Sequence, residues 1–163
     1  MEIHANPDPS RRIEDQDELV LMALTCRAEA RGEHDIPRWA SASDPSALEE
    51  MLAVAWVIMN RADRRHQSVR SVVLAPKQFS CWNLSDPSRT ETTRFIATGP
   101  STQDSWRTSL SAAFLAYTRM APDISMGADH YYSVVIPPPS WAPTMKEVSR
   151  WGRHVFFDSK KKP

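Results

Sequence analysis

ALEEMLAVAWVIMNRADR, Ala47 to Arg64, is the stretch on which the fold turns. From Met51 to Met59 it carries no charge, and its apolar side chains point in most directions around a helix. A helix apolar nearly all round has to be enclosed by other elements, so this one predicts the centre of a core. Asp44-Pro45 marks its start, an N-cap acid followed by proline at the first helical position, with acids expected in the first turn. The apolar part is too short and too interrupted to span a membrane.

Working outward, the segment from about Asp15 to Ala30 predicts a first helix. Leu19, Met22, Ala23, Cys26 and Ala30 recur at three-to-four spacing and give an apolar stripe, and Gly32 is a natural stop. His34 to Ser43 reads as loop. After the central helix, SVRSVVLAP (68–76) is short and β-branched and predicts a strand or extended segment. KQFSCWN (77–83) reads as loop, and SDPSRTETTRF (85–95) as a short helix from Asp86. Ser101 with Asp104 forms a capping-box-like start to a third long helix, with Trp106, Leu110, Ala113, Phe114 and Tyr117 as its buried face. HYYSVV (130–135) and RHVFF (153–157) lie either side of PPPSWAP (137–143) and predict two short antiparallel strands. Helices first and a small sheet later imply an α+β fold.

The chain has 163 residues, suited to a single domain over 15–158, with a flexible arm at 1–14 and a basic tail at 159–163. A formal net charge of zero argues against nucleic-acid binding by bulk charge. MEIHANPDPSRRIEDQDE has neither an apolar core nor a small-residue cleavage site, so no secretory signal is expected. Cys26 and Cys81 make no disulfide framework or four-ligand metal site and are expected to be reduced, partly buried thiols. With 13 prolines and 4 glycines the loops are stiff, and Trp82, Trp141 and Trp151 fall on them, either lining a groove or capping the core.

RAEARGE, Arg27 to Glu33, holds two glutamates at the end of the first helix. Taken alone, each reads as a solvated helix-end charge. Other stretches set them in a pattern: AEARGE, then AVAWVIMNR, PKQFSCWN, GADHYYS, PPPSW and WGRHVFF. In this order the chain resembles the SleB-like cell wall hydrolases, a family of spore-cortex lytic enzymes and phage endolysins, over roughly Leu19 to Phe157. The resemblance implies a lysozyme-like α+β fold, mainly helical with a small antiparallel sheet. It implies peptidoglycan glycan strands as the substrate and lytic transglycosylase chemistry. It puts the catalytic acid on Glu29, a substrate-groove loop on Gln78, Phe79 and Ser80, and a cleft-facing strand on His130, Tyr131 and Tyr132. Trp141 and His154 match further positions, and Glu33 and His154 are candidates for a supporting role. The loop from His34 and the segment Ser85 to Pro100 are longer than the family pattern, so subsite preference does not carry over.

The chemistry suits a lone glutamate. A glycosidic oxygen leaves only when protonated, and burial keeps a carboxyl protonated near neutral pH. Glu29 ends an apolar helix, where the helix dipole also disfavours a carboxylate. Tyr131, Tyr132 or Trp82 would add aromatic cover, and Arg27 and Arg31 are expected to point outward. A strand turns Tyr131 and Tyr132 to opposite faces, so at most one faces the cleft. A hydrolase needs a second carboxylate. Glu33, Asp86, Asp104 and Asp129 are available, but none stands in a convincing partner motif. In a transglycosylase the muramic acid 6-hydroxyl attacks instead, and one glutamate serves as acid and then base. Three alternatives stay open: a two-carboxylate muramidase, a zinc N-acetylmuramoyl-L-alanine amidase using His130 and His154, and a non-catalytic peptidoglycan-binding module. The reading expects no cofactor, no metal, no membrane insertion and a monomer. It expects an endolysin made in the host cytoplasm that reaches the wall after holin-type release, in the thin wall of a Gram-negative host.

Overall fold

Two enclosed helices make the centre of the molecule, whose computed structural model describes residues 6–30, 45–98 and 104–162. Helix α1, Glu18–Ala30, is buried at every position from Leu19 to Arg27. The expected apolar stripe is therefore a full apolar jacket, because leucine, valine and methionine also fill the positions between the stripe residues. Helix α2, Pro45–Arg65, is buried without a break from Glu50 to Met59, as its all-round apolar pattern requires. Helix α5, Asp104–Tyr117, packs across both. Its buried face is Trp106, Ser109, Ala112, Ala113 and Ala116. Phe114, expected inside, is 37% exposed. The small alanines, not the aromatic, allow close approach to α1 and α2.

Residues 68–76 correct a strand to a helix. Helix α3, Val69–Val73, starts at Ser68, whose hydroxyl accepts a hydrogen bond from the Ser71 amide. Val69, Val72 and Val73 are all buried, and α3 packs on α1 and α2. Their one-four-five spacing is helical; β-branching, a weak and context-dependent preference, concealed it. Helix α4, Pro87–Thr98, begins as expected after Asp86, whose Oδ1 accepts from the Ser88 amide at 2.8 Å.

Three antiparallel strands complete the fold: β1 His130–Ser133, β2 Lys146–Trp151 and β3 His154–Asp158, in the order β1-β3-β2. The β1–β3 pair was expected. β2 was missed because KEVSRW is polar and mostly facing water. β3 is buried throughout and alternates between two environments. Phe156 joins the helical core. Val155 and Phe157 belong to a second, smaller cluster with Ala142, Tyr132, Trp141 and Met145. The β2–β3 hairpin turns at Gly152, φ +54°, where a Cβ would lie 2.5 Å from Cδ of Glu50. Only glycine fits both that φ and that approach.

The last turns of α2 brace the approach to β1. Asn60 Nδ2 donates to the carbonyl of Ala128 at 2.9 Å, Arg61 Nε to that of Asp129 at 2.7 Å and Arg64 Nη2 to that of Gly127 at 2.6 Å. The amino-terminal arm, expected to be loose, is tied to the domain from Asn6 onward. Asn6 Oδ1 accepts from Trp106 Nε1 at 3.1 Å, and Arg89 Nη2 donates to Oε1 of Glu14 at 3.0 Å. Among the described residues no helix is long and apolar enough to cross a membrane.

Candidate active site

Glu29 sits in the last turn of α1, where sequence-adjacent residues are core and the helix runs out. Its carboxyl is gripped from two elements. Tyr131 of β1 donates its hydroxyl to Oε2 at 2.8 Å. From the loop before α4, Ser80 donates its amide at 3.2 Å and its hydroxyl at 3.4 Å to Oε1. The residue keeps partial solvent exposure on its pocket side, while protein crowds the carboxyl elsewhere. Burial pushes its proton affinity above that of an ordinary glutamate, although the hydrogen bonds from Tyr131 and Ser80 and the charge of His154 pull the other way. Two thiols confirm how apolar the surroundings are. Cys26 and Cys81 are free and fully buried, and burial, with the nearby Glu29 charge second, pushes both far from ionising.

Beside Glu29 opens a pocket of about 120 Å³ lined by Ala30, Glu50, Ser133, Val135, Arg153 and His154. Glu50 was not anticipated. In the sequence it is one of two adjacent acids near a helix start, and only burial separates it from the exposed Glu49. It is 4% exposed. Its Oε1 meets His154 Nδ1 at 2.6 Å and accepts the Arg153 amide at 3.0 Å. The His154 ring stands edge-on to Tyr131, centroids 5.2 Å apart. Arg61 is the other unanticipated residue. Its buried guanidinium lies 5.1 Å from the Phe79 ring, and burial lowers its proton affinity. A larger open hollow, about 510 Å³, lies along the start of α4 and includes Asp86, Glu91 and Arg94. Its acids are committed elsewhere: Asp86 caps α4, and Glu91 pairs with Arg27 at 3.5 Å.

The residues expected at the site divide. Glu29, Ser80, Tyr131 and His154 come together. Gln78 does not line the pocket; its Oε1 accepts from Arg65 at 3.3 Å. Phe79 is 1% exposed and belongs to the core, not to an open groove. His130, Tyr132 and Trp141 are gathered on the opposite face of the sheet, with Trp141 centroids 5.1 Å from His130 and 6.0 Å from Tyr132. Strand alternation forces this: His130 and Tyr132 share a face, and Tyr131 takes the other. Glu33 and Arg31 lie outside the described residues. Arg27 does not point outward as expected. It is 7% exposed, stacked 3.7 Å over Phe95, and two positions along the helix from Glu29 it faces a different neighbour. Trp82 is buried and donates its Nε1 to Thr25 at 3.0 Å, so it caps core instead of lining a groove. Asp129 is bound into a salt-bridged cluster with Arg64 and His130 and offers no second free acid.

Comparison with known proteins agrees with this fold. No curated protein shows significant sequence similarity to the chain. A solved structure titled as the catalytic domain of the Bacillus cereus SleB protein superposes with a TM-score of 0.53 at 21% identity, covering 96% of this chain and 98% of that one. At that identity the likeness speaks for the fold: mostly helical, with a small antiparallel sheet. The sequence model of the cell wall hydrolases matches residues 46–157. That span takes in the central helix, the Ser80 loop and all three strands, and begins after Glu29. On these grounds the chain belongs to the cell wall hydrolase family.

Proposed function

We propose that the protein cleaves peptidoglycan glycan strands between N-acetylmuramic acid and N-acetylglucosamine, as a lytic transglycosylase with Glu29 as acid and then base. The observation that carries this reading is the contrast between the carboxylates lining the pocket. Glu29 is held toward its protonated form by burial. Glu50 already has an oxygen committed to His154 and to the Arg153 amide. One group is thus poised to give a proton, and the other is occupied. Membership in the cell wall hydrolase family supports peptidoglycan as the polymer.

In the first step Glu29 gives its proton to the glycosidic oxygen. The bond from that oxygen to the muramic C1 breaks, and the electron pair leaves with the N-acetylglucosamine hydroxyl. The C6 hydroxyl of the same muramic residue then bonds to C1, and its proton passes to the Glu29 carboxylate, which restores the acid. The products are a 1,6-anhydro-muramic end and a free 4-hydroxyl, and no water is consumed. Tyr131 and Ser80 hold the carboxyl in place through both steps. Each proton transfer of this kind contributes roughly 10²- to 10⁴-fold in rate.

Mass analysis of fragments released from purified peptidoglycan by wild type and by Glu29→Gln tests the reading. Anhydro products from wild type that vanish in the variant are expected. One second reading has a specific observation behind it. Glu50 lines the same pocket, so a two-carboxylate muramidase would use it to activate water. Reducing ends from wild type, lost in Glu50→Gln, would favour that enzyme. A zinc amidase is disfavoured because His130 and His154 face opposite sides of the sheet; chelator-sensitive release of stem peptides would revive it. An unchanged polymer would leave a binding module. Use as a phage endolysin, reaching the wall after holin-type release, is part of the same proposal, and lysis on co-expression with a holin tests it.

A further inference from the structure

Glu50 and His154 form a buried pair in the wall of the Glu29 pocket, 4% and 6% exposed. Three features fix the pair. The Nδ1–Oε1 distance is 2.6 Å. The Arg153 amide holds the same oxygen at 3.0 Å. Gly152 brings the hairpin backbone so close that any Cβ would strike the Glu50 carboxyl at 2.5–2.7 Å. Glu50 therefore ties α2 to the β2–β3 hairpin and aims the imidazole at the same time. A carboxylate accepts only, so the hydrogen bond requires the proton on His154 Nδ1. The ring so held lies edge-on to Tyr131, whose hydroxyl holds Glu29.

We propose that Glu50 is a positioning residue that holds His154 as an Nδ1-protonated ring beside Glu29, so that this carboxylate–imidazole pair governs the charge Glu29 carries through the reaction. The inference rests on the one-acid reading of Glu29. A protonated His154 favours the Glu29 carboxylate, the form left after the proton is given. The other groups facing Glu29 do not compete for this role. Tyr131, Cys26 and Cys81 are pushed toward their neutral forms by burial. Arg61, which hydrogen-bonds the Asp129 carbonyl, and Arg153, which lines the pocket, are unchanged in every variant and so do not distinguish one from another.

Two measurements test the pair. In ¹⁵N-resolved spectra of wild type, His154 is expected with its proton on Nδ1, and Glu50→Gln is expected to release that preference. An unprotonated Nδ1 in wild type overturns the proposal without any variant. The second measurement is the pH profile of kcat/KM. In His154→Gln the imidazole is gone and the Glu50 carboxylate loses its ring partner, which favours protonated Glu29. The alkaline limb is expected to move up by roughly half a pH unit or more. The double variant, with Glu50→Gln as well, is expected to move most of the way back. An unmoved limb in His154→Gln, or a double variant identical to the single, overturns the proposal; lowered kcat with an unmoved limb would mark a merely structural role. Failure of the underlying reading looks different: Glu29→Gln would keep its activity or its alkaline limb.

Discussion

Glu29 and Asp129 flank the same strand, β1, and meet opposite fates. Both are crowded by protein. Asp129 is surrounded by donors: Arg64 Nη1 at 2.7 Å, His130 Nδ1 at 3.0 Å, the Ser159 amide at 2.9 Å and the Ser159 hydroxyl. Burial raises its proton affinity, but those donors more than reverse the effect, and its carboxyl is held well below the usual range. Among the described residues Glu29 has three neutral donor contacts and no cation in contact, and burial wins. Asp158, sharing Arg64 at 2.9 Å, follows Asp129 downward. A buried carboxylate is structural when its charge is met and chemically poised when it is not.

The largest test of that contrast is Glu29→Gln. Catalysis is expected to fall by about 10³-fold or more, read as initial rate on purified peptidoglycan. Stability at neutral pH is expected to rise, by on the order of 1 kcal/mol, because an uncompensated buried acid is replaced by a neutral isostere. A lower melting temperature would break the comparison. Arg64→Met is expected to cost about 3 kcal/mol, since it leaves Asp129 and Asp158 buried without their cation, read by denaturant unfolding. The remaining folded enzyme should keep the wild-type alkaline limb.

Asp129→Asn sharpens the sign. A depressed carboxyl stabilises above its unfolded value near 4 and loses that contribution as pH falls below it. The variant is therefore expected to lose roughly 2 kcal/mol at neutral pH and to unfold less steeply in acid than wild type. Glu29 runs the other way: its raised affinity favours folding below the ordinary glutamate range, and that contribution fades as pH rises through the folded value. Glu29→Gln should accordingly flatten the decline of stability on the alkaline side, read as melting temperature against pH. The smallest expected effect is that of Tyr131→Phe, about 1 kcal/mol or roughly fivefold in kcat/KM for one lost hydrogen bond. Because that bond lowers the Glu29 proton affinity, the alkaline limb should move up, not down.

Much of the scaffold was legible along the chain. The apolar run after Glu50 could only be an enclosed helix, and the HYYSVV and RHVFF segments could only pair. The proposed acid of EARGE came from the resemblance that motif order carries, not from spacing alone. The misreadings share one cause. Val69, Val72 and Val73 look like strand in isolation and are helix because α1 and α2 lie beneath them. Glu50 looks like a first-turn acid and is a buried partner of His154, more than a hundred residues away.

The sequence by itself determined the α+β class, the central helix, the β1–β3 pairing and the alternation that separates Tyr131 from Tyr132. Those follow from periodicity, which is local. Only the tertiary structure decided which carboxylates are met by cations and which are not, and so which one the proposed mechanism takes as its acid. The reason is physical: a carboxyl's proton affinity is set by the few ångströms around it, and in a folded chain those are occupied by residues remote in sequence.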